Sequence, residues 1–468
     1  MATQETVFRK ESPMFFETIR SEGLAHLSYI IGQEGSAAVI DPRRDCDIYI
    51  EIARRNGAEI THIFETHRNE DYVIGSSQLA AQTGARIYHG SRMDFGYGND
   101  VHTGDEFNIG NLVLRVLETP GHTYESISIA VIDTAFGASP VAVFTGDALF
   151  IGDVGRTDFF PDKRLETAEL LYESIFRTLL PLGDHVLLYP AHGSGSVCGS
   201  GMAEREFSTL GYERLYNPVL QLDRKAFVQK KATEQHYIAP YFKKMEQHNQ
   251  QGAPVLQALP SPRPCTADNF ARAIDLNDLQ ILDTRSPEAI AGACISGSIT
   301  IPQDMVPAFA GWFLSYDRPI GLIVNHYEQV QPTVRDLIRL GYDNIPVYLH
   351  QEMHAWETSG RLYDRIPAVH IEALKQMIAT QERFTLLDVR SREEFAAGHL
   401  PNALNVYVGE LPDNLDRIPR DIPVVTFCGS GKRAIIAAAI LKNNGFDQVS
   451  DCLGSMLACK ASGCSVET

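Results

Sequence analysis

Apolar residues in the first half of the chain come in short runs, each closed by Gly, Pro, Asp or His: LSYIIG, SAAVIDP, ITHIFETH, ARIYHG, NLVLRVLETPGH, VAVFTGD and HVLLYPAHG. Short runs rich in Ile, Val and Leu and bounded by chain breakers predict β-strands. The stretches between them, such as DIYIEIARRNG and GSSQLAAQTG, read as helices. Strands and helices interleaved in this way predict an α/β sandwich. Several of the strands run straight into His or Asp, so the same pattern predicts a polar site at the strand ends.

Beyond Leu220 the pattern turns helical and charged, and GAPVLQALPSPRP, residues 252–264, carries four prolines and reads as a linker. The remainder of the chain repeats itself. LQILDTRSPEAIAGACISGSITIP (279–302) and FTLLDVRSREEFAAGHLPNALNVY (384–407) share a strand, Asp-x-Arg-Ser, an acidic helix and a return strand. PIGLIVNHYEQVQPTVRDLIRLGYDNIPVY (319–348) matches PVVTFCGSGKRAIIAAAILKNNGFDQVSDC (423–452) in the same way. Two tandem copies of one small α/β domain account for this. The expected domains are 1–251, a linker at 252–264, 265–365 and 366–468.

Composition narrows the partners. At 468 residues the chain exceeds one typical domain, and 44% hydrophobic with 21% charged residues is ordinary folded-protein makeup. A net charge of −18 argues against nucleic acid, which needs clustered Lys and Arg. No run approaches the ~20 apolar residues of a membrane helix. MATQETVFRKESPMFF lacks both the apolar core of a secretory signal and the Arg-rich look of a transit peptide. A cytoplasmic protein with no membrane partner is the expectation. The eight cysteines are scattered with no CxxC pair, which speaks against a disulfide framework and a structural zinc site.

Four polar clusters follow apolar strands: His67 with Asp71, His122 in ETPGHT, Asp147 in FTGDALF, and His192 in YPAHGSG. A lone histidine says little, but four such clusters in order, three of them flanked by Gly, point to a metal site. With these motifs residues 12–250 resemble the metallo-β-lactamase superfamily. FTGDALFIGDVGRTDF is similar to the persulfide dioxygenase branch, and the whole chain resembles persulfide dioxygenase–rhodanese fusions. The resemblance implies an α/β fold: an N-terminal αββα metallo-β-lactamase sandwich followed by two rhodanese-like α/β domains.

It also implies one Fe(II) per chain on His67, His122 and Asp147. Two imidazoles and a carboxylate on one face of an ion leave positions open, as in non-haem iron oxygenases, whereas redox-inert zinc could not activate O₂. In HRNEDY, Asn69 and Tyr72 stand where a two-metal hydrolase would place imidazoles. Asp71 and His192, with Tyr72, then read as groups that orient ligands or substrate. Arg156 and Asp158 in GRTDF match a family motif; they read as an internal ion pair or as a substrate contact. Cys198, six residues past His192, reads as a participant in sulfur handling or as an inert loop thiol.

The two repeats differ. TFCGSGKRA is a strand ending in Cys428, a loop of Gly429, Ser430, Gly431 and Lys432 reaching Arg433, and a helix. Backbone N–H groups, the helix N-terminus and Arg433 favour thiolate and would cradle a persulfide. This resembles the rhodanese loop, and its Cys-x₄-Arg spacing is one residue shorter than that of related phosphatase loops. Asp388 and Arg390 recur as Asp283 and Arg285, which makes them structural. In the middle domain the counterpart of Cys428 reads as Asn325, the loop Arg is missing, and Cys294 lies elsewhere, so this domain is expected to be catalytically dead.

The resemblance implies oxidation of a low-molecular-weight thiol persulfide by O₂ to sulfite and thiol, with Cys428 linking sulfite and thiosulfate, and implies self-association into a homo-oligomer. A zinc thioesterase of the glyoxalase II type, a sulfurtransferase whose first domain only binds, and a non-catalytic sulfur sensor stay open. So does the identity of the thiol.

Overall fold

The computed structural model describes residues 14–196, 201–205, 207–277 and 279–468. The chain divides into two compact units, Met1–Gln257 and Ala258–Thr468.

The first unit holds two six-stranded sheets. One runs in the order β1 (Phe15–Ser21), β2 (His26–Gln33), β3 (Ser36–Ile40), β4 (Glu59–Phe64), β5 (Arg86–Gly90) and β6 (Asn99–Val101). Its first three strands are antiparallel and the rest join in parallel. The other contains β7 (Glu106–Ile109), β8 (Leu112–Glu118), β9 (Ile127–Asp133), β10 (Pro140–Gly146), β11 (Leu187–Pro190) and β12 (Ser208–Thr209), in that order from one edge to the other.

Alternation along the strands explains the layering, because successive side chains leave opposite faces. Tyr29, Ile31, Ala38, Ile40 and Phe64 of the first sheet pack on Leu114, Val116, Ile129, Val131 and Phe144 of the second. The intervening residues Ile30, Ala37, Val39 and Ile63 face outward onto α1 (Asp47–Arg55) and α2 (Ser76–Thr83) through Tyr49, Ile52 and Leu79. On the far side Val143 and Leu188 meet α3 (Arg164–Glu173), α4 (Leu210–Tyr216) and α5 (Arg224–Thr233) through Leu171, Leu210 and Phe227. The layers are therefore helix, sheet, sheet, helix, the expected sandwich. A further helix, α6 (Phe242–Gln251), closes the unit.

The second unit contains two five-stranded parallel sheets. The first runs β13 (Arg263–Cys265), β17 (Val347–Leu349), β16 (Ile320–Ile323), β14 (Gln280–Asp283), β15 (Ile299–Thr300). The second runs β18 (Ala368–Val369), β22 (Val449–Cys452), β21 (Val424–Phe427), β19 (Thr385–Asp388), β20 (Leu404–Asn405). The two orders are the same, strand for strand, so the sequence repeat is a repeat of fold. Residues 263 and 264, at the end of the proline-rich stretch, already belong to β13. Cys459 and Cys464 are joined in a local disulfide that the cysteine spacing did not signal. Among the described residues no helix is long and apolar enough to cross a membrane.

Candidate metal centre and thiol loop

His67 lies in the loop after β4, His122 in the loop after β8, and Asp147 directly after β10. One ligand atom from each lies within 4.8 Å of the other two, and all three residues are buried. His67 Nε2 is 3.7 Å and His122 Nε2 is 3.5 Å from Asp147 Oδ2.

The partners of these side chains explain why the nitrogens point inward. Thr66 Oγ1 donates to Asp41 Oδ2 at 2.7 Å, so it accepts from His67 Nδ1 at 2.9 Å and leaves the Nε2 lone pair free. His122 Nδ1 donates to the Arg156 carbonyl at 3.0 Å, with the same result. Neither Nε2 has a hydrogen-bond partner. Two unpaired buried nitrogens beside a carboxylate oxygen are costly unless a cation lies between them, so the donor set fits a divalent metal ion. Burial holds the His67 imidazole down at about 3, and it stays neutral, as a ligand must. Burial also acts against the charged form of Asp147, but His192 and His67 outweigh it and keep that carboxyl below its usual range.

Two glycines let the strand ends approach. Gly146 adopts φ +54°, and a Cβ there would come within 2.6 Å of Thr66 Oγ1. A Cβ on Gly155 would meet the Asp147 carbonyl at 1.9 Å. Glycine is required at both.

His192, in the loop after β11, donates from Nδ1 to Asp147 at 2.8 Å and sets Nε2 3.3 Å from Asp71 Oδ2. Burial alone would lower the His192 imidazole, but Asp147 and Asp71 raise it well above its ordinary value. Between two carboxylates it does what a second cation would do. Tyr72 and Asn69 are buried, and the Tyr72 hydroxyl and Asn69 Oδ1 have no partner. Arg156 forks onto Asp158 at 2.6 and 2.9 Å and is fully buried, with its guanidinium over the Phe159 ring. Its backbone carbonyl, not its charge, is what touches His122. Cys198 lies outside the described residues.

Four residues at the site were not singled out by the sequence pattern. Asp41 and Thr66 orient His67, and Asp41 does end an apolar strand, which was the available signal. Asn249 of α6 accepts from Ile74 N and donates to the carbonyls of Asn69 and Tyr72, clamping the loop from 180 residues away with no local pattern to reveal it. Glu70, the fourth, is 1% exposed, and its carboxylate lies 3.6 Å from His122 Nε2 and 3.6 Å from the Arg68 guanidinium.

In the second unit, Cys428 is buried directly after β21, and its Sγ accepts from Gly431 N at 3.1 Å. The helix Lys432–Asn443 starts beside it. Arg433 is held bidentately by Glu394 at 2.6 and 2.7 Å. Glu394 also completes a capping box with Ser391. Lys432 pairs with Asp304 of the preceding repeat. Arg390 forks onto Asp388 and donates to the Gly398 carbonyl, and Arg285 does the same with Asp283 and Ala293. These recurring pairs brace each repeat.

The middle loop requires a correction. Asp283 pairs with Ile323 across its sheet, as Asp388 pairs with Phe427 across the other. The residue after the strand, and so the counterpart of Cys428, is Val324 and not Asn325. By the same register Gln329 stands for Arg433 and Ala289 for Glu394. Gln329 Oε1 accepts from the N–H groups of Asn325 and His326, filling the loop with its own side chain.

Residues 22–192 match the family model of the metallo-beta-lactamase superfamily, and residues 370–462 match that of the rhodanese-like domain. Persulfide dioxygenase ETHE1, mitochondrial, from Homo sapiens is 30% identical over 210 residues, covering 43% of this chain and 74% of that protein. Hydroxyacylglutathione hydrolase GloC from Haemophilus influenzae is also 30% identical, covering 41% and 91%. A crystal structure of a metallo-beta-lactamase from Staphylococcus aureus is 35% identical, with a TM-score of 0.64, covering 72% of this chain and 98% of that one.

Proposed function

Because the chain belongs to the metallo-beta-lactamase superfamily and carries a rhodanese-like domain behind that fold, we propose that it is a persulfide dioxygenase coupled to sulfur transfer. The net reaction is RSSH + O₂ + H₂O → RSH + SO₃²⁻ + 2 H⁺. One observation carries the reading: a two-imidazole, one-carboxylate set at His67, His122 and Asp147, with Asn69 and Tyr72 in place of a second metal's imidazoles. The relatives named ETHE1 support it.

His67, His122 and Asp147 would hold iron(II), which when bound would supply the one-electron chemistry that lets O₂ react with a closed-shell persulfide. The chain's own residues do the rest. Thr66 and the Arg156 carbonyl fix the tautomers of His67 and His122. His192 fixes Asp147 through Nδ1 and is itself held by Asp71, 3.3 Å from its Nε2. The rings of Tyr72 and Phe159, edge-on to His192 and His122, limit the entry of water.

Cys428 acts separately. Its thiolate attacks the sulfane sulfur of thiosulfate; the S–S bond of thiosulfate breaks with its electron pair leaving on sulfite, and a Cys428 persulfide forms. In the other direction sulfite accepts the outer sulfur of that persulfide. Gly431 N–H donates to Cys428 Sγ, and with the helix N-terminus it stabilises negative charge on that sulfur.

The test is anaerobic metal analysis, then O₂ uptake against persulfides of glutathione, coenzyme A and bacillithiol. Iron at one per chain with stoichiometric sulfite is expected, and His122→Ala abolishes it. Bound zinc with no O₂ consumption overturns the proposal in favour of a second reading, thioester hydrolysis. The relative named GloC supports that reading, and the missing second set of imidazoles disfavours it. Cys428→Ser should remove thiosulfate formation while sulfite accumulates.

A further inference from the structure

The last repeat holds Cys428 in a loop whose two cations, Lys432 and Arg433, are each paired with a carboxylate. Arg433 takes Glu394 of its own repeat at 2.6 and 2.7 Å. Lys432 takes Asp304, which belongs to the middle repeat. Lys432 follows Gly431, whose N–H lies 3.1 Å from Cys428 Sγ, so this second pair stands at the edge of the sulfur site. The middle repeat has Val324 in place of a nucleophile, yet it supplies half of the charge balance around the nucleophile behind it.

Register shows that this carboxylate is not part of the repeated fold. Asp283 pairs with Thr300 as Asp388 pairs with Asn405. Gln303 N donates to the Thr284 carbonyl as Val408 N donates to the Val389 carbonyl. Asp304 is therefore the counterpart of Gly409, and the acid does not recur. The turn that carries it, Gln303–Met305, runs directly into the helix Val306–Phe313. That helix lies against the last repeat, with Phe309 and Trp312 at 6.4 and 5.8 Å from the Tyr407 ring. Packing, and not the ion pair, keeps Asp304 opposite the loop.

The side chains of Lys432 and Asp304 are 41% and 59% exposed. A pair this exposed adds little to stability, but each of its charges contributes to the potential at the sulfur. With both present the pair sums to zero, and an incoming anion is left to Gly431 N–H and the helix N-terminus. Thiosulfate is a dianion, so it responds to a change of one unit charge twice as strongly as a monoanion does.

We propose that Asp304 is a specificity-determining residue of the Cys428 site: by cancelling the Lys432 charge it weakens the hold of the loop on small sulfur oxyanions. The inference deepens the sulfur-transfer half of the proposed function. It rests on that reading for the identity of the anion and not for the potential at the sulfur.

The experiment uses the full-length protein with Asp304→Asn, Asp304→Glu, Lys432→Gln and the Asp304→Asn/Lys432→Gln double variant. Asp304→Gly, which installs the residue of the counterpart position, is a second neutral variant should Asn disturb the turn. Cys428 is alkylated with iodoacetate, an anion, and with iodoacetamide, its neutral analogue, and the modified peptide is quantified by mass spectrometry. The ratio of the two rates reads the potential at the sulfur and needs no turnover. It should rise about three-fold on loss of the Asp304 charge and fall about three-fold on loss of the Lys432 charge. The double variant and Asp304→Glu should return it to the parent value. In the thiosulfate–cyanide reaction, KM for thiosulfate should fall about ten-fold in Asp304→Asn, the square of the monoanion effect, with kcat within about two-fold. The difference should shrink in ~1 M salt. A ratio and a KM that stay at parent values overturn the proposal. So does a fall in kcat and melting temperature with an unchanged ratio, which marks a merely structural role. A parent without thiosulfate–cyanide turnover defeats the sulfur-transfer reading, while the alkylation ratio still decides the role of Asp304.

Discussion

Single hydrogen bonds decide which nitrogen of each histidine carries its proton, and the metal site depends on that choice. Asp41 and Thr66 settle it for His67 through a hydrogen-bond relay. Thr66→Val keeps the shape and deletes the relay, so metal affinity should fall about 10- to 100-fold with little change in melting temperature. Chelator competition and thermal unfolding of the same samples check it. The metal-facing residues were legible in the sequence because each one ends or closely follows an apolar strand. Asn249 and Glu70 were not. One reaches its loop across 180 positions, and the other lies inside a motif at a place where the pattern allows any residue. Sequence spacing records neighbours along the chain; it does not record what a distant helix clamps.

Among the secondary-structure elements, the acidic helix Arg392–Ala396 does two things with one side chain. Glu394 caps its own helix with Ser391 and grips Arg433 across the loop. The first is a property of the Ser-x-x-Glu pattern and could be read directly. The second needs the sheet to bring strand ends together. Glu394→Gln retains the cap and loses the ion pair, so thiosulfate sulfurtransferase turnover should drop about ten-fold, equivalent to about 1.4 kcal/mol. O₂ consumption of the same preparation is expected to stay at the parent rate. Register was the part of the sequence hardest to read. An additional apolar residue, Val324, made Asn325 look like the counterpart of Cys428, and only the pairing of Asp283 with Ile323 places Val324 there.

Across the chain as a whole, the division at Gln257 and Ala258 separates two sets of cores, while the two repeats behind it do not separate in the same way. Asn443 donates to the Ser298 carbonyl, and a Cβ on Gly409 would come within 2.8 Å of the Trp312 ring. Trp312 and Phe313 line a cavity of about 270 Å³ together with Ile436, Ala439 and Ile440 of the last repeat. Fragments 1–257 and 258–468 should therefore each give a cooperative melt, the first retaining metal and the second retaining Cys428-dependent transfer. Fragment 366–468 should aggregate or melt about 10 °C lower, because it leaves those apolar residues uncovered, about a 1–2 kcal/mol effect on a domain of this size. Calorimetry on the three fragments decides it.

The filled loop of the middle repeat has a consequence for reversibility. Restoring a sulfur acceptor there takes Val324→Cys for the nucleophile, Gln329→Arg to clear the side chain that occupies the loop, and Ala289→Glu to hold that arginine. Each change alone places a thiol without a cradle, a cation without a partner, or an anion without a cation. In a Cys428→Ser background, Val324→Cys by itself should show no turnover with thiosulfate and cyanide. No single one of these changes rebuilds the loop, so the duplicated fold works as a ratchet: losing the acceptor took one substitution at a time, and regaining it takes all three together.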